Sequence, residues 1–129
     1  MLDYEKIINT FTDVTGYDLA SIIPDNGSNE VNRVNRFIDL QAQILTFYIR
    51  RYNYTFKLEK CKEAQILTLY EILARQMLYA CENGTPETVS GVDVNSNTII
   101  SSDKILLAHI SPLAMAELEA NGFLYRAIS

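Results

Sequence analysis

His109 is the only histidine in the chain, and it lies two residues before Ser111 in the segment LLAHIS. A histidine near a serine is the pair from which many hydrolases build a base and its nucleophile. Here Pro112 follows the serine, which places the hydroxyl to cap the free amides of a new helix. No G-x-S-x-G elbow surrounds the serine either. We therefore expect a structural imidazole at position 109 and a protein that is not an enzyme.

Patterns that hold metals or nucleotides do not occur in the sequence. There is no C-x-x-C, H-E-x-x-H or calcium-loop spacing, and no P-loop or G-x-G-x-x-G. We expect neither a metal nor a cofactor.

Cys61 and Cys81 are twenty positions apart on one predicted helix, which separates them by roughly 30 Å. They cannot bridge each other there, so we expect two free thiols, as in a reducing compartment.

Length and charge limit the classes of protein that fit. The chain of 129 residues suits one domain with a real core. Its net charge of −5 and pI near 4.8 argue against a broad basic face that grips duplex DNA. The first residues do not resemble a signal peptide, and no apolar run is long enough to span a membrane. We expect a protein made in a cytosol, or assembled from one.

Apolar spacing and turn residues predict a mainly α-helical bundle. A short amphipathic helix runs from Asp3 to about Val14, and Ser28 or Asn29 can cap the next helix. The main elements that we predict are a long helix over 30–52, a second over 56–83, a β-hairpin or extended loop over 85–100, and a C-terminal helix over 112–121. The short connection between the long helices predicts an antiparallel helical hairpin.

The two long helices differ in how much of their surface is apolar. On the first, two apolar rows leave only a narrow polar strip, so it is either central to a bundle or shared between its own core and a neighbouring subunit. The arginines on or near this strip, Arg33, Arg36, Arg50 and Arg51, either meet a phosphate or a partner's carboxylates, or form a solvated face. On the second, the predicted inward face is Leu67, Tyr70, Leu73, Ala74, Met77, Leu78 and Cys81, with Glu71 and Arg75 as a favourable pair.

The C-terminal segment ISPLAMAELEANGFLYRAIS has marked helix boundaries. Ser111 and Pro112 begin a helix, and Gly122 is the residue best able to end it in the left-handed conformation. The residues that follow, 123–129, are mostly apolar and unlike a fraying terminus. They need a surface to lie on.

This organisation resembles a known family. The short N-terminal helix, the two long helices with AQILTLYEILARQMLYACENG on the second, the extended segment and the closing ISPLAMAELEANGFLYRAI are similar to the small head–tail adaptor proteins of tailed bacteriophages. These proteins are also called head-completion or connector proteins. The likeness covers nearly the whole chain, as one adaptor-like domain over 1–129, and lies in its organisation and two motifs.

The resemblance implies a structural virion protein that forms a ring, commonly a dodecamer, between the portal and the tail. Such a ring would extend the DNA exit channel without sequence-specific binding, and would offer a platform for a stopper or tail-completion protein. Its place would be the head–tail connector, or neck, after a period in the host cytoplasm. The implied subunit-interface residues are Phe37, Leu40, Ile44 and Phe47; the implied portal-docking residues are Phe123, Leu124, Tyr125, Arg126 and Ile128; and the implied channel or adjacent-ring loop holds Val92, Asp93, Val94, Asn95 and Asn97.

A second class of protein fits the same composition. A small acidic helical regulator, such as an anti-repressor or an antitoxin-like module, would use the apolar first long helix to form a simple dimer in the host cytosol. A minimal helical dimer has no need of the segment over 85–100, whereas a ring that reaches adjacent rings does. That segment therefore favours the adaptor interpretation.

Overall fold

The computed structural model describes residues 2–23, 29–83, 107 and 109–124, and within these ranges the chain is mainly α-helical with no β-strand. The elements are α1 (Tyr4–Thr15), α2 (Leu19–Ile22), α3 (Glu30–Arg50), a 3₁₀ turn (Leu58–Lys60), α4 (Glu63–Glu82) and α5 (Pro112–Ala120). The hairpin or loop that we predicted over 85–100 lies outside the described residues.

Local capping explains where α1 and α3 begin. Asp3 accepts a hydrogen bond from the backbone N–H of Lys6 at 3.1 Å, and Asn29 accepts one from Asn32 at 2.9 Å. Both interactions satisfy amides that have no partner inside the helix. Gly16 then ends α1 with a φ of 79°, which a residue with a Cβ atom rarely adopts.

The second long helix begins seven residues later than we predicted. Its first turn starts at Glu63 rather than Phe56, because the Gln65 side chain accepts a hydrogen bond from the backbone N–H of Lys62 at 3.1 Å. The preceding residues form turns, in which Arg50 Nε donates to the Phe56 carbonyl at 3.0 Å. Cys61 therefore precedes α4, and our placement of both cysteines on one helix was wrong. Both thiols are free.

Helix α4 occupies the middle of the packing, since it contacts α1, α3 and α5. Its buried side chains recur at helical spacing and join one core with those of the other helices. The largest fully buried side chains of that core are Ile7, Phe11, Leu19, Ile38, Ile44, Ile49, Leu69, Ile72, Leu73 and Met77. Leu67, which we placed on the inward face, is instead 43% exposed, because it lies in the first turns of α4 and off the buried stripe.

Candidate interaction surface

The four predicted subunit-interface residues divide into two pairs on α3. Phe37 and Ile44 are 8% and 2% exposed and belong to the core of this chain. Leu40 and Phe47 are only half-buried and pack at the margin of that core. The first pair is already covered by the chain itself, so only Leu40 and Phe47 keep surface that a neighbouring molecule can cover.

Phe47 lines an open groove of about 570 Å³. The second half of α3 forms one wall, and the 3₁₀ turn and the start of α4 form the other. The lining residues are Leu2, Asp39, Ala42, Gln43, Thr46, Phe47, Arg50, Leu58, Glu59, Ile66 and Tyr70. Its lining combines apolar side chains with the charged side chains of Asp39, Arg50 and Glu59.

Hydrogen bonds hold two of the charged side chains that line this groove, Asp39 and Arg50. The Tyr4 hydroxyl donates to Asp39 Oδ1 at 2.7 Å, and this bond to a carboxylate raises the pKa of Tyr4. The Tyr70 hydroxyl accepts from the backbone N–H of Asp3 at 3.3 Å, which ties the start of α1 to α4. Arg50 is held by its bond to the Phe56 carbonyl. The groove therefore presents a carboxylate and a guanidinium in fixed positions.

The chain after α3 carries aromatic and cationic side chains together. The Arg51 guanidinium lies 5.8 Å from the centre of the Tyr48 ring, and the Tyr48 and Tyr52 rings meet edge to face at 5.7 Å. The pKa of Tyr48 is raised to about 12, mainly by burial and to a smaller extent by the hydrogen bond with Tyr52. Tyr54 stands well away from the core and is 76% exposed. Tyrosine and arginine are the residue types enriched in protein interfaces.

The arginines of the predicted polar strip have different surroundings. Arg33 donates from Nη2 to the Ala20 carbonyl at 3.1 Å, which ties α3 to α2. Arg36 is exposed on the second turn of α3. Arg50 and Arg51 lie at the far end of α3 and have the contacts described above, so the four side chains do not form one cluster.

The C-terminal helix is attached to α4 through Gln76, a residue that sequence reasoning missed. Gln76 is fully buried, and its Nε2 donates to Gln41 Oε1 at 2.8 Å and to the His109 carbonyl at 2.9 Å. Its Oε1 accepts from the backbone N–H of Ser111 at 2.7 Å. One side chain thus joins α3, α4 and the start of α5. The sequence did contain a signal for this role, because Gln76 is a polar residue within the row of apolar residues that α4 buries.

Both predicted boundaries of the C-terminal helix are confirmed. Ser111 Oγ accepts from the backbone N–H of Ala114 at 3.2 Å, and Gly122 has a φ of 80°. After Ala120, Gly122 N–H donates to the Glu119 carbonyl at 3.1 Å, and Phe123 N–H donates to the Leu118 carbonyl at 3.0 Å. These two bonds form a Schellman motif, which satisfies carbonyls at the end of a helix.

The first residue of the predicted docking tail belongs to the core of this chain. Phe123 is buried beside Leu118 in the chain's own core, and its carbonyl accepts a hydrogen bond from the Asn53 side chain. It completes the end of α5 and offers little surface to a portal protein. Leu124 is half-buried. The other docking residues, Tyr125, Arg126 and Ile128, and the loop residues Val92, Asp93, Val94, Asn95 and Asn97 lie outside the described residues.

The reactive side chains are in environments that suppress their ionised forms. Desolvation lowers the pKa of His109, and burial raises the pKa of Cys81 to about 11. Burial also raises the pKa of Cys61. Across the described ranges, no group of three or more His, Cys, Asp or Glu side chains is placed to hold a metal ion.

Comparison with other proteins gives no relative from which to transfer a role. No family model, no curated protein and no solved structure matches the chain. Among the helices of the described residues, none is both long and apolar enough to cross a membrane.

Proposed function

We propose that this chain is a structural protein of the head–tail adaptor type, which forms a ring between the portal and the tail of a bacteriophage. The observation that carries the proposal is the division of the apolar surface of α3. Phe37 and Ile44 lie in the core, while Phe47 lies in an open groove. An assembly subunit needs both, since it must fold alone and then bury further apolar surface against a neighbour.

The arrangement of the long helices supports the same proposal. Gln41 on α3 bonds to Gln76 on α4, whereas Ile49, further along α3, lines a cavity with Leu69, which comes earlier on α4. This reversed order supports the antiparallel helical hairpin that we predict from the sequence. The proposed portal contact then involves Leu124 and the residues after it, and the proposed channel or adjacent-ring contact involves 85–100.

The proposal is tested by adding the purified chain to portal-bearing, DNA-filled capsids that lack tails. Particles are sedimented and imaged by electron microscopy. The proposal predicts an added ring beneath the portal and no binding to capsids without a portal. The absence of a ring, together with a stable dimer in solution, would instead support a dimeric cytosolic regulator.

A further inference from the structure

The connection between α3 and α4 is basic in an otherwise acidic chain. Residues 50–62 contain five cations, Arg50, Arg51, Lys57, Lys60 and Lys62, and one carboxylate, Glu59. Their net charge is +4, and since the whole chain has a net charge of −5, the remaining residues have −9. The three lysines are exposed, and so are Tyr52 and Tyr54. We call this connection the basic end.

The other end of α3 has exposed carboxylates and exposed apolar side chains. Asp13, Asp18 and Glu30 are exposed, and Tyr17 and Val31 are 53% and 66% exposed. These residues belong together in space, because α2 packs against both α1 and α3. We call them the acidic end. At 1.5 Å per residue, the 21 residues of α3 separate the two ends by roughly 30 Å.

We propose that the basic end of one copy binds the acidic end of a second copy. The inference rests on the proposed ring assembly and names the surfaces that would form it. Each end combines charge with exposed apolar or aromatic side chains, and the two charges are opposite. Such complementarity steers association and fixes its orientation. Arg33, which bonds to α2, and Arg36, exposed on the second turn of α3, are cations that oppose this contact at the acidic end.

The charges also determine the symmetry of the contact. A two-fold dimer through the basic end would place like net charges together, because its five cations outnumber Glu59 and the adjoining carboxylates of Glu63 and Glu119. Like charges across an interface are unfavourable. A contact between unlike ends is heterologous. An open assembly of any number of copies therefore still has one unbound basic end and one unbound acidic end. Heterologous contacts produce rings where the rotation closes. The surface therefore fits a ring and disfavours a closed dimer through the same residues.

Charge reversal at each end tests the proposal. One variant carries Lys57→Glu and Lys60→Glu, and a second carries Asp13→Lys and Val31→Lys; circular dichroism confirms folding. Sedimentation at low ionic strength should show self-association weakened about tenfold in each, since the first variant reverses two cations and the second reverses one carboxylate and places a cation on an apolar contact residue. Arg36→Glu makes the same charge change as one lysine reversal, yet it should strengthen association.

Mixing the two weakened variants separates heterologous from two-fold contacts. Each retains the end that the other lacks, so the mixture should form dimers of one copy of each at concentrations where neither variant alone associates. A wild-type chain that stays monomeric at low ionic strength, or a mixture without these dimers, overturns the proposal. The proposal is also overturned if the Lys57→Glu, Lys60→Glu variant loses binding to duplex DNA while its self-association is unchanged. If rings still form on portals with the lysine variant, the function stands and this surface is wrong.

Discussion

Gln76 of α4 donates to Gln41 of α3 at 2.8 Å, with both side chains fully buried. The same Gln76 binds the backbone on both sides of Ile110, at His109 and Ser111. Buried amides are costly unless they are paired, so this network specifies how α5 is attached.

Replacing Gln76 by leucine should lower the free energy of unfolding by about 3 kcal/mol, because the Gln41 carbonyl oxygen and two backbone groups lose a buried partner. Gln41→Leu is the matched variant. The Gln41 Nε2 has no hydrogen-bond partner among the described residues, so this change also removes an unpaired donor. It should therefore cost less than Gln76→Leu. Chemical denaturation measures both, and equal losses would contradict the role assigned to Gln76.

The contribution of Arg75 to stability should come from its ion pair with Glu117 rather than from Glu71 of its own helix. Its Nε lies 2.9 Å from Glu117 Oε1, and its Nη1 donates to Oε2 at 3.1 Å and to the Glu71 backbone carbonyl at 3.3 Å. The pair is partly exposed, so a double-mutant cycle of Arg75→Gln with Glu117→Gln should give a coupling of about 0.5–1 kcal/mol. Added salt should reduce it. A larger coupling with Glu71→Gln would show that the helix pair predicted from the sequence is the dominant one.

Two truncations should separate the fold from the docking tail. Ending the chain after Gly122 removes Phe123 and the last bond of the Schellman motif, which should cost about 3 kcal/mol by loss of a buried aromatic side chain. Ending it after Leu124 keeps every contact described for α5, so its unfolding midpoint should be higher than that of the shorter chain. Thermal and chemical denaturation compare them. If both truncations unfold alike, Phe123 does not stabilise the end of α5.

Cys81 should react slowly with thiol reagents. A pKa of about 11 leaves a thiolate fraction at pH 8 that is about 100-fold smaller than that of a thiol with a pKa near 9. Iodoacetamide labelling of Cys61→Ala and Cys81→Ala variants isolates each thiol, and unfolded protein provides the reference rate. Labelling of Cys81 in the folded chain at the unfolded rate would contradict its burial.

The sequence was most informative where structure depends on neighbouring residues. The cap at Ser111 and the left-handed glycine at position 122 follow from local hydrogen bonding and backbone sterics, and they fixed both ends of α5 correctly. Asn29 was one of two candidates for the cap of α3. The start of α4 could not be found in this way. The apolar spacing continues through Phe56 and Cys61, and only the bonds of Lys62 and Arg50 show that the helix begins later.

The candidate surface depends on packing between distant parts of the chain, so the sequence predicted it only in part. The sequence showed that most of the surface of α3 is apolar, but helical spacing alone could not assign Phe37 to the core and Phe47 to the groove. Phe123 was taken as the start of a docking tail, because its contacts with Asn53 and Leu118 appear only in the folded chain. Gln76 carried a signal, a polar residue in an apolar stripe, without indicating its partners.

The most direct test of the central claim compares two variants of the exposed apolar surface on tailless, DNA-filled capsids. Phe47→Glu places a charge in the groove, while Leu67→Glu places one on an exposed side chain of α4 that does not line it. Both should fold, because neither residue is fully buried. Electron microscopy should show a ring beneath the portal with the wild-type chain and with Leu67→Glu, and none with Phe47→Glu. Rings of equal occupancy for all three chains, or no ring with the wild type, would contradict the proposed adaptor function.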